Sequence, residues 1–468
     1  MVLPYSRLRS SVRFLHYSDI ENAHDDPDRI GRIAGLIGDL RGGEAEAFVC
    51  GTGDNVAPGV LPLVTRGEQA LDLFEAISPT VSTFGNHDFD YGPDRLRELV
   101  DRSPQEWISA NVYDGDGRFA DVSPWTIRSA GEATVGFVGV TDPTTPNANP
   151  EAGTLRFTDP IAETRQAVAA LNDRGVDTVV VLSHLGRGDE RLATACDVDL
   201  VLGGHVHTER VERVGGAILT RPGSGGDCVL EVDLASADGE VIRHPVAEAP
   251  VSEPLAARYR DRLAETGLGT VVGRADEPIR RSETEAFRGE SRVGNFVADA
   301  YRWAAERELG TDPPVVSLQN SGGIRTGPAL SGAVTVADLV SLVPFEEPVV
   351  VLDLSGADLL ETFREAADTT GFGEADWWHA HVSGAHLVYD HGDDELIEAH
   401  VGGEPVDPEA RYRLATSEFL LYTDEEFPTL TDRERLRTLD VQYEVLAAYA
   451  RTVGIEPERD GRIVRNGL

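Results

Sequence analysis

The sequence predicts an α/β protein with two domains and a connecting helix. The chain of 468 residues is longer than a single hydrophobic core usually supports. Its first half alternates short apolar segments with amphipathic ones, the pattern of strands and helices in a mostly parallel sheet. Near residue 250 this alternation ends, and a proline-punctuated segment leads into one helical stretch. We therefore predict a first domain at 1–248, a linker helix at 249–270 and a second domain at 271–468.

Strands and helices follow one another through the first domain. Three strands are predicted from VRFLHYSD, EAFVCGTGD and TVSTFGNHD, and three helices from PDRIGRIAGLIGDLR, GEQALDLFEAI and PDRLRELVD. Later strands are predicted from ATVGFVGVTD, DTVVVLSH, DVDLVLGGH, AILTRP and CVLEVDL, with a helix from DPIAETRQAVAALNDRG. The second domain opens with a helix from ESRVGNFVADAYRWAAEREL and closes with strands such as GAHLVYDH and RYRLATSEFL.

The composition is strongly acidic. Asp and Glu number 81 against 42 basic residues, all of them Arg, and the net charge is −39. Such a chain repels nucleic acid and anionic membranes, so we expect neither as a partner. Carboxylates dispersed along a lysine-free chain resemble the adaptation of proteins from salt-accumulating halophiles. They suggest a haloarchaeon-like source, with ordinary acidic solubility as the alternative.

Cysteine usage and the first residues bear on the cellular location. Cys50, Cys196 and Cys228 are far apart without a CxxC pair, which predicts buried small side chains in a reducing compartment. The opening segment MVLPYSRLRSSVRFLHYSD lacks an apolar core of signal-peptide length. No window is long and apolar enough to span a membrane. We therefore expect a cytoplasmic protein.

Polar side chains follow five of the predicted strands where each strand ends. In open α/β sheets, the loops beyond the carboxyl ends of the strands build the functional site. Asp, Glu, Asn and His are suitable ligands for Mn, Zn, Fe or Mg. The sequence therefore predicts one metal site assembled from five loops. In chain order these residues are Asp19 and Glu21, Asp54, Asn86 and His87, His184, and His205 and His207.

The order of these motifs resembles the calcineurin-like metallophosphoesterases. The motifs are SDIE, GDN, GNHD, SH and GHVH. In the second half, SRVGNFVADA, QNSGGIR, LVPFEE, HVSGAHLVYD and YRLATSEFL are similar to the C-terminal domain of the 5′-nucleotidase family. The resemblance runs from about residue 12 to about 450. It implies a four-layer α/β/β/α metallophosphatase domain followed by an α/β substrate-binding domain.

The resemblance also implies two divalent metal ions that share one carboxylate and a hydroxide that attacks phosphorus in line. Asp54 would be the shared carboxylate. The predicted ligands of the first metal are Asp19, Glu21, Asp54 and His207, and those of the second are Asp54, Asn86, His184 and His205.

His87 fits the catalytic histidine of the family. That residue stabilises the developing charge or protonates the leaving oxygen. His87 should not be a ligand if Asn86 is one, because neighbouring side chains on an extended segment point apart. The family implies that Asp90 orients His87, with Asp88 as the alternative.

Glu21 departs from the family pattern, which usually has His at this position. A Glu ligand adds negative charge and a harder donor, so we expect Mn, Mg or Fe to be favoured over Zn, and Mn most of all. The alternatives are that His24, three residues further on, supplies the ligand, or that the site lacks it.

The second domain is expected to bind the substrate. Arg292 and Arg325 match the phosphate-binding arginines of the family, and a guanidinium fork suits phosphate oxygens. Asn320 matches the family's Asn. Phe345 and Phe419 match the two aromatic residues that sandwich the base, with core packing as the alternative for each.

The loop after Phe419 departs from the family's Gly-Gly-Asp-Gly-Phe run, whose Asp binds the ribose hydroxyls. Here the same offset reads YTDEEF. Aligned without a gap, Glu425 takes the place of that Asp and Phe427 takes the place of the Phe. The loop has lost its glycines, and this departure bears on nucleoside specificity more than on catalysis.

Histidines in the second domain raise the question of another metal site. His379, His381 and His386 have metal-like spacing, but their segment resembles a structural strand of the family, and packing is the favoured interpretation. His391 and His400 flank a predicted turn and are expected to be solvated.

The favoured function is hydrolysis of the phosphate monoester of 5′-nucleotides by a two-metal phosphoesterase. A 2′,3′-cyclic nucleotide phosphodiesterase or a nucleotide-sugar hydrolase on the same scaffold is the first alternative. A thiosulfate-ester hydrolase and a non-catalytic binding protein are more remote. The expected partner is a nucleotide or another small phosphate ester, and the sequence leaves the oligomeric state open.

Overall fold

The chain forms two compact units, Met1–Thr266 and Gly267–Leu468. The computed structural model describes residues 12–42, 47–234, 239–367, 377–423 and 426–467. Both units combine helices with strands, so the predicted two-domain α/β architecture is confirmed. The units divide near the predicted end of the linker helix. Among the described residues, no helix combines the length and apolarity that crossing a membrane requires.

Strands and helices alternate through most of the first unit. The strands are β1 Arg13–Tyr17, β2 Ala47–Thr52, β3 Val81–Thr83, β4 Glu106–Trp107, β5 Val112–Asp114, β6 Gly117–Arg118, β7 Trp125–Ala130, β8 Ala133–Thr141, β9 Arg156–Phe157, β10 Thr178–His184, β11 Leu200–Gly203, β12 Arg210–Val214, β13 Ala217–Arg221, β14 Cys228–Asp233 and β15 Glu240–Pro245. The helices are α1 Pro27–Arg41, α2 Val60–Thr65, α3 Gln69–Ile77, α4 Pro93–Arg102, α5 Thr145–Ala148, α6 Pro160–Asn172, α7 Asp189–Ala195 and α8 Glu253–Glu265.

Local sequence explains where the longer helices begin. Asp26 precedes α1 and accepts hydrogen bonds from the backbone N–H groups of Asp28 and Arg29, while Pro27 occupies the first turn. α6 begins the same way, with Asp159 before a proline. The strand β10 is buried along its whole length, as expected for a parallel strand that is covered on both faces.

Two sheets face each other in the first unit. Their strand orders are β15-β14-β1-β2-β3-β4 and β12-β13-β11-β10-β8-β7. Phe14 and Phe48 of the first sheet pack on Phe137 of the second, with ring centroids 6.1 and 5.4 Å apart. α1 covers the outer side of the first sheet, and α6 and α7 cover the outer side of the second. The result is the expected α/β/β/α arrangement.

The predicted linker helix packs on the first unit as α8. Tyr259 is fully buried there, and its hydroxyl donates to the carbonyl oxygen of Gln69 at 2.7 Å. Arg258 pairs with Glu75 at 2.6 Å. These contacts make α8 an integral part of the first unit.

The second unit has a different topology. Its strands are β16 Val271–Arg281, β17 Val315–Asn320, β18 Gly327–Thr335, β19 Pro348–Ser355, β20 Ala380–Ser383, β21 Ala385–Asp390, β22 Glu395–Val401, β23 Glu404–Pro405, β24 Arg411–Ser417, β25 Arg435–Val441 and β26 Ile463–Asn466. Its helices are α9 Glu283–Phe287, α10 Arg292–Leu309, α11 Val336–Leu342, α12 Gly356–Glu365 and α13 Gln442–Thr452. A mixed sheet, β20-β17-β24-β19-β25, carries α10 and α13 on one face. Its other face packs with α12 and the sheet β23-β22-β21-β26.

Candidate active site

All seven predicted metal ligands meet in the first unit. They lie at or just after the ends of β1, β2, β3, β10 and β11. β1, β2 and β3 are parallel to one another in the first sheet, and β10 and β11 are parallel in the second. Because the carboxyl ends of these strands lie on one side, the loops beyond them share one place. Two groups of side chains result: the Asp19 group (Asp19, Glu21 and His207) and the His184 group (Asp54, Asn86, His184 and His205).

The Asp19 group offers two carboxylates and one imidazole. Its donor atoms all lie within 4.8 Å of one another. His207 Nε2 is 2.9 Å from Glu21 Oε1 and 4.0 Å from Asp19 Oδ1. Both carboxylates are buried, whereas 55% of the His207 side chain is exposed. Access to this group from solvent is therefore on the His207 side.

The His184 group adds an amide oxygen to a carboxylate and two imidazoles. His184 Nε2 lies 3.0 Å from Asp54 Oδ2 and 3.2 Å from Asn86 Oδ1. His205 Nδ1 lies 2.8 Å from the same amide oxygen. The four side chains converge on one point. They include no cysteine and therefore offer only nitrogen and oxygen donors.

His184 is oriented by the strand beside it. Its Nδ1–H donates to the carbonyl oxygen of Thr52 at 2.7 Å. This bond leaves Nε2 as the nitrogen that faces Asp54 and Asn86. Metal-binding histidines in proteins are fixed in the same way by a partner on the second ring nitrogen.

The electrostatics of the two groups favour a cation. Burial raises the pKa of Asp19 to about 7, and the nearby Asp54 carboxylate adds to the shift. Burial and Asp54 raise the pKa of Glu21 to about 7 as well. Burial and mutual repulsion make these carboxylates harder to ionise. A bound cation would stabilise their ionised forms. The donors therefore fit two divalent metal ions, one for each group.

Several of these residues have left-handed backbone conformations. The φ angles of Asp19, Glu21, Asp54 and His205 are 49°, 46°, 52° and 71°. This region costs roughly 1–2 kcal/mol for a residue with a Cβ atom. Such conformations persist where the surrounding structure imposes them, commonly at functional sites. Here backbone bonds such as Asp19 N–H to Gly53 O at 3.0 Å tie the loops together.

His87 lies beside the His184 group and is held by Asp90. Its Nδ1 is 3.1 Å from both carboxylate oxygens of Asp90. Burial alone would lower the pKa of His87, but the Asp90 carboxylate raises it to about 9. The His87 side chain is 39% exposed, so the ring is partly open to solvent.

The premise that separated Asn86 from His87 was wrong. The segment is not extended, because Asn86 has φ −73° and ψ −36° and His87–Phe89 is a 3₁₀ turn. The two side chains diverge because consecutive residues of a helical turn point in different directions. The same turn places residues three apart on one side, which explains why His87 meets Asp90.

Asp88 has a different task from the orienting role considered for it. Its buried carboxylate accepts backbone hydrogen bonds from Asp54, Asn55, Val56 and Gly85 at 2.8–3.1 Å. It thereby joins the loop after β2 to the loop after β3. This role depends on the burial of Asp88, which the GNHD motif by itself does not reveal.

Asn149 was not predicted at all. Its amide nitrogen donates to Asp90 Oδ1 at 2.9 Å and to the carbonyl oxygen of Asn86 at 2.8 Å. It therefore fixes the carboxylate that holds His87. The residue lies on a loop distant in sequence, and nothing in its local motif marks it.

His24 lies apart from both ligand groups. Its Nε2 is 2.9 Å from the carbonyl oxygen of Asn55, and its Nδ1 is 2.9 Å from the hydroxyl of Tyr259. The ring is fully buried at these contacts. Glu21, by contrast, has its carboxylate in the Asp19 group, so the geometry favours Glu21 as the ligand.

In the second unit, Asn320 belongs to a polar network. Asn320 Nδ2 donates to Glu426 Oε2 at 2.8 Å, and His379 Nε2 lies 2.6 Å from the same oxygen. Glu426 and His379 were not among the predicted substrate residues. Glu425, which was, lies outside the described residues.

The remaining predicted substrate residues have separate surroundings. The Arg325 guanidinium lies 5.0 Å from the centroid of the Phe345 ring, and burial lowers the pKa of Arg325. Arg292 instead donates to the carbonyl oxygens of Pro457 and Pro278, at 2.8 and 3.3 Å. Phe419 is half-buried and packs against the core beside α12. The structure thus pairs Arg325 with Phe345 and gives Arg292 different partners.

The three histidines with metal-like spacing do not gather. His381 is buried, with Nε2 2.9 Å from the carbonyl oxygen of Ala286, while His379 faces Glu426. His386 lies instead beside His400, with ring centroids 6.1 Å apart. The prediction that His400 is simply solvated needs correction, since its side chain is only 28% exposed.

Comparison with protein families agrees with both halves of this description. Residues 12–209 match the model described as calcineurin-like phosphoesterase, and residues 271–432 match the model described as 5′-nucleotidase, C-terminal domain. The chain joins a calcineurin-like phosphoesterase domain to a 5′-nucleotidase C-terminal domain. Every predicted metal ligand lies in the first match, and these homologies indicate a metal-dependent hydrolase.

Curated relatives match most of this chain. The chain is 27% identical over 430 residues to an apyrase of Tabanus yao, covering 79% of this chain and 75% of the apyrase. It is 23% identical over 494 residues to a 5′-nucleotidase of Bos taurus, covering 93% and 85%. It spans only 34% of the endonuclease YhcR and of the trifunctional nucleotide phosphoesterase YfkN of Bacillus subtilis.

Solved structures show the same fold over nearly the whole chain. The 5′-nucleotidase precursor of Thermus thermophilus superposes with a TM-score of 0.71 at 22% identity, covering 98% of this chain and all (100%) of that one. The sulfate thiohydrolase SoxB of the same organism superposes with a TM-score of 0.64 at 21% identity, covering 100% and 98%. The calcineurin-like phosphoesterase and 5′-nucleotidase architecture is thus confirmed.

Proposed function

We propose that this protein hydrolyses the phosphate monoester of 5′-nucleotides with two divalent metal ions bound in the first unit. The observation that carries the proposal is the pairing of the Asp19 and His184 groups beside His87. Two ions held there, when bound, lower the pKa of a water molecule and stabilise charge on the phosphate oxygens. The chain supplies the ligands, the orientation of His87 and the contacts to the substrate.

Asp54 is the proposed shared ligand. Its Oδ2 lies 3.0 Å from His184 Nε2, and its backbone carbonyl oxygen accepts from the N–H of Glu21 at 3.4 Å. Burial raises the pKa values of Asp19 and Glu21, and the charge of the Asp54 carboxylate adds to both shifts. It is therefore close to both groups. Asp19, Glu21, Asp54 and His207 would hold the first ion, and Asp54, Asn86, His184 and His205 would hold the second. With Glu21 in place of a histidine, the first site is rich in oxygen donors, which supports Mn as the preferred metal.

His87 is the proposed catalytic acid. Asp90 holds Nδ1, and Asn149 holds Asp90, so the proton on Nε2 has a fixed direction. Burial lowers the pKa of the imidazole, but the Asp90 carboxylate raises it and so favours the protonated form. His87 can then stabilise negative charge on the phosphoryl group or protonate the leaving alkoxide.

The second unit is the proposed source of specificity. Arg325 carries a charge beside the aromatic face of Phe345, a combination that suits a phosphate next to a base. Asn320, Phe419 and Arg292 are proposed contacts on the basis of their motifs, and so is Glu425. The names of the relatives, which include nucleotidases, support a nucleotide as the substrate.

The proposal extends to the setting of the enzyme. We place it in the cytoplasm of a halophile, with no nucleic acid as partner, on the strength of its charge of −39 and three buried free cysteines. A role in nucleotide breakdown follows from the proposed reaction.

A substrate panel tests the reaction. The purified protein, loaded with Mn²⁺ in molar KCl, is assayed on AMP, 2′,3′-cyclic AMP, UDP-glucose and p-nitrophenyl phosphate. We expect the highest kcat/KM for AMP, with phosphate released at one equivalent per nucleoside. A preference for the cyclic diester or the nucleotide sugar would replace the monoesterase with the corresponding alternative. No hydrolysis by protein that holds two metal ions would refute the proposed enzymatic function.

A further inference from the structure

We propose that His386, Glu398 and His400 form a second binding site for a divalent transition metal ion, on the β21–β22 hairpin of the second unit. We call these three residues the hairpin triad. Their donor atoms all lie within 4.8 Å of one another. The proposal is independent of hydrolysis and of the Asp19 and His184 groups.

The register of the hairpin brings the triad together. β21 and β22 are antiparallel, His386 lies opposite His400, and Val388 lies opposite Glu398. Residues two apart on a strand share a face, so the triad occupies one face of the hairpin. Directly opposed side chains on one face have Cβ atoms only about 4.5–5.5 Å apart.

That face lies away from the core. The alternate residues of β21, Ala385, Leu387 and Tyr389, are the buried ones and belong to the core beside α12. The triad points the other way, with 28% of the His400 side chain and 51% of the Glu398 side chain exposed. Its side chains can therefore turn without disturbing the core.

The distances fit ligation after small side-chain rotations. His400 Nδ1 is already 3.8 Å from Glu398 Oε2. Ligands about 2.0–2.2 Å from a tetrahedral zinc ion are roughly 3.4 Å from each other. The paired strands fix the backbone, so each donor needs to move only a fraction of the length of its side chain.

The donors select the type of metal. Two imidazoles and one carboxylate suit Zn²⁺, Co²⁺, Ni²⁺ and Cu²⁺. Mg²⁺ and Ca²⁺ prefer sites built from oxygen alone. Three protein ligands leave the fourth position to water, and an ion there would tie β21 to β22.

Zinc binding to the full-length protein tests the proposal. Wild-type protein and the variants H386Q, H400Q and E398Q are stripped with a chelator and dialysed against Zn²⁺ in excess Mg²⁺. E395Q, which makes the same charge change on the same strand, and H391Q in the adjoining turn are the controls. Metal content is measured by mass spectrometry, and affinity by titration. Co²⁺ absorption spectra report the coordination geometry.

We expect each triad variant to hold one Zn²⁺ fewer per chain than wild type and the controls at low zinc. Its affinity at this site should fall at least ~10-fold, because even a residue that merely supports a ligand contributes ~10–100-fold. Hydrolytic activity should be unchanged in all five variants. The difference should persist in a D54N background, where the first-unit ligands are impaired. Equal zinc content in triad variants, controls and wild type would overturn the proposal, and so would displacement of this zinc by Mg²⁺.

Discussion

Three predicted ligands of the first unit and the two predicted aromatic residues of the second unit are held in different ways. Asp19, Asp54 and His184 are at most 1% exposed, and backbone groups of neighbouring segments form hydrogen bonds with their side chains. Phe345 and Phe419 are half-buried and lie on connecting segments. Metal ligation needs donors in fixed positions, whereas recognition of a substrate tolerates changes in loops. Damage to the first unit should therefore affect every substrate, and damage to the second should depend on the substrate.

The largest effect is expected from loss of the metals. Chelation, or Asp54→Asn, should lower kcat by at least ~10²–10³-fold on every substrate, the loss typical of removing one group that stabilises developing charge. Metal content should fall with activity, because Asp54 is proposed to serve both ions. Asp94→Asn, at a side chain that is 99% exposed, is the matched control. Full activity in metal-free protein would contradict the prediction.

His87→Ala should lower kcat by ~10²–10⁴-fold without changing metal content. The residue is proposed to move a proton and to bind no metal, since Asp90 occupies its Nδ1. Because p-nitrophenolate needs little protonation, the loss should be smaller on p-nitrophenyl phosphate than on AMP. Kinetics on both substrates and metal analysis of the same sample provide the check. A variant that loses a metal ion would make His87 a ligand.

Arg325→Ala should raise KM or lower kcat/KM for any phosphate ester by ~10–100-fold. A hydrogen bond to a charged group contributes about 1.5–3 kcal/mol, and the guanidinium supplies that contact. Arg325→Lys keeps the charge but loses the fork, so it should recover only part of the activity. Metal content serves as the reference and should match wild type. Unchanged kinetics in Arg325→Ala would remove this residue from the substrate contacts.

Phe419→Ala should separate substrates. Loss of base stacking costs about 1–3 kcal/mol, so kcat/KM for AMP should fall while p-nitrophenyl phosphate is hydrolysed nearly as before. Glu425→Gln in the same assay compares AMP with 2′-deoxy-AMP, and a difference between them would support contact with the ribose. Equal losses on both esters for Phe419→Ala would assign that ring to packing alone.

The smallest effect concerns salt. With a net charge of −39, repulsion among carboxylates should destabilise both units at low ionic strength. We expect Tm to rise between about 0.1 M and a few molar KCl, by about 2–4 °C for each kcal/mol of repulsion relieved. Sorbitol at matched osmolality separates charge screening from exclusion effects. A flat or falling Tm in KCl would remove the halophile interpretation and leave the enzyme unaffected.

The strand ends and their ligands could be predicted because that information is local. Each apolar segment is followed at once by its polar residue, as in the run from β2 to Asp54, and a parallel sheet puts such residues on one side. The orientation of His87 by Asp90 was predicted from the family resemblance alone. The turn that brings these two residues together was not predicted, because the segment was expected to be extended.

Other contacts could not be predicted, because they join residues that are distant in the sequence and share no short motif. Asn149 donates to Asp90 from a loop that lies 59 residues further along the chain. The hairpin triad requires the β21–β22 register, which contains a shift between Val388 and Tyr389. Spacing along the chain therefore suggested His379 and His381 as neighbours of His386. The strand register instead places His400 opposite His386.

The left-handed backbone of Asp19, Glu21, Asp54 and His205 has a consequence for evolution and engineering. Glycine adopts these angles without steric cost, so exchange for glycine would relieve strain at the same time as it removed a ligand. A substitution that stabilises the fold at these positions would therefore also remove activity. Homologues that carry glycine or asparagine at these positions should be more thermostable and inactive. A thermostabilising screen that ignores activity should find such changes first, and one that selects for turnover should exclude them.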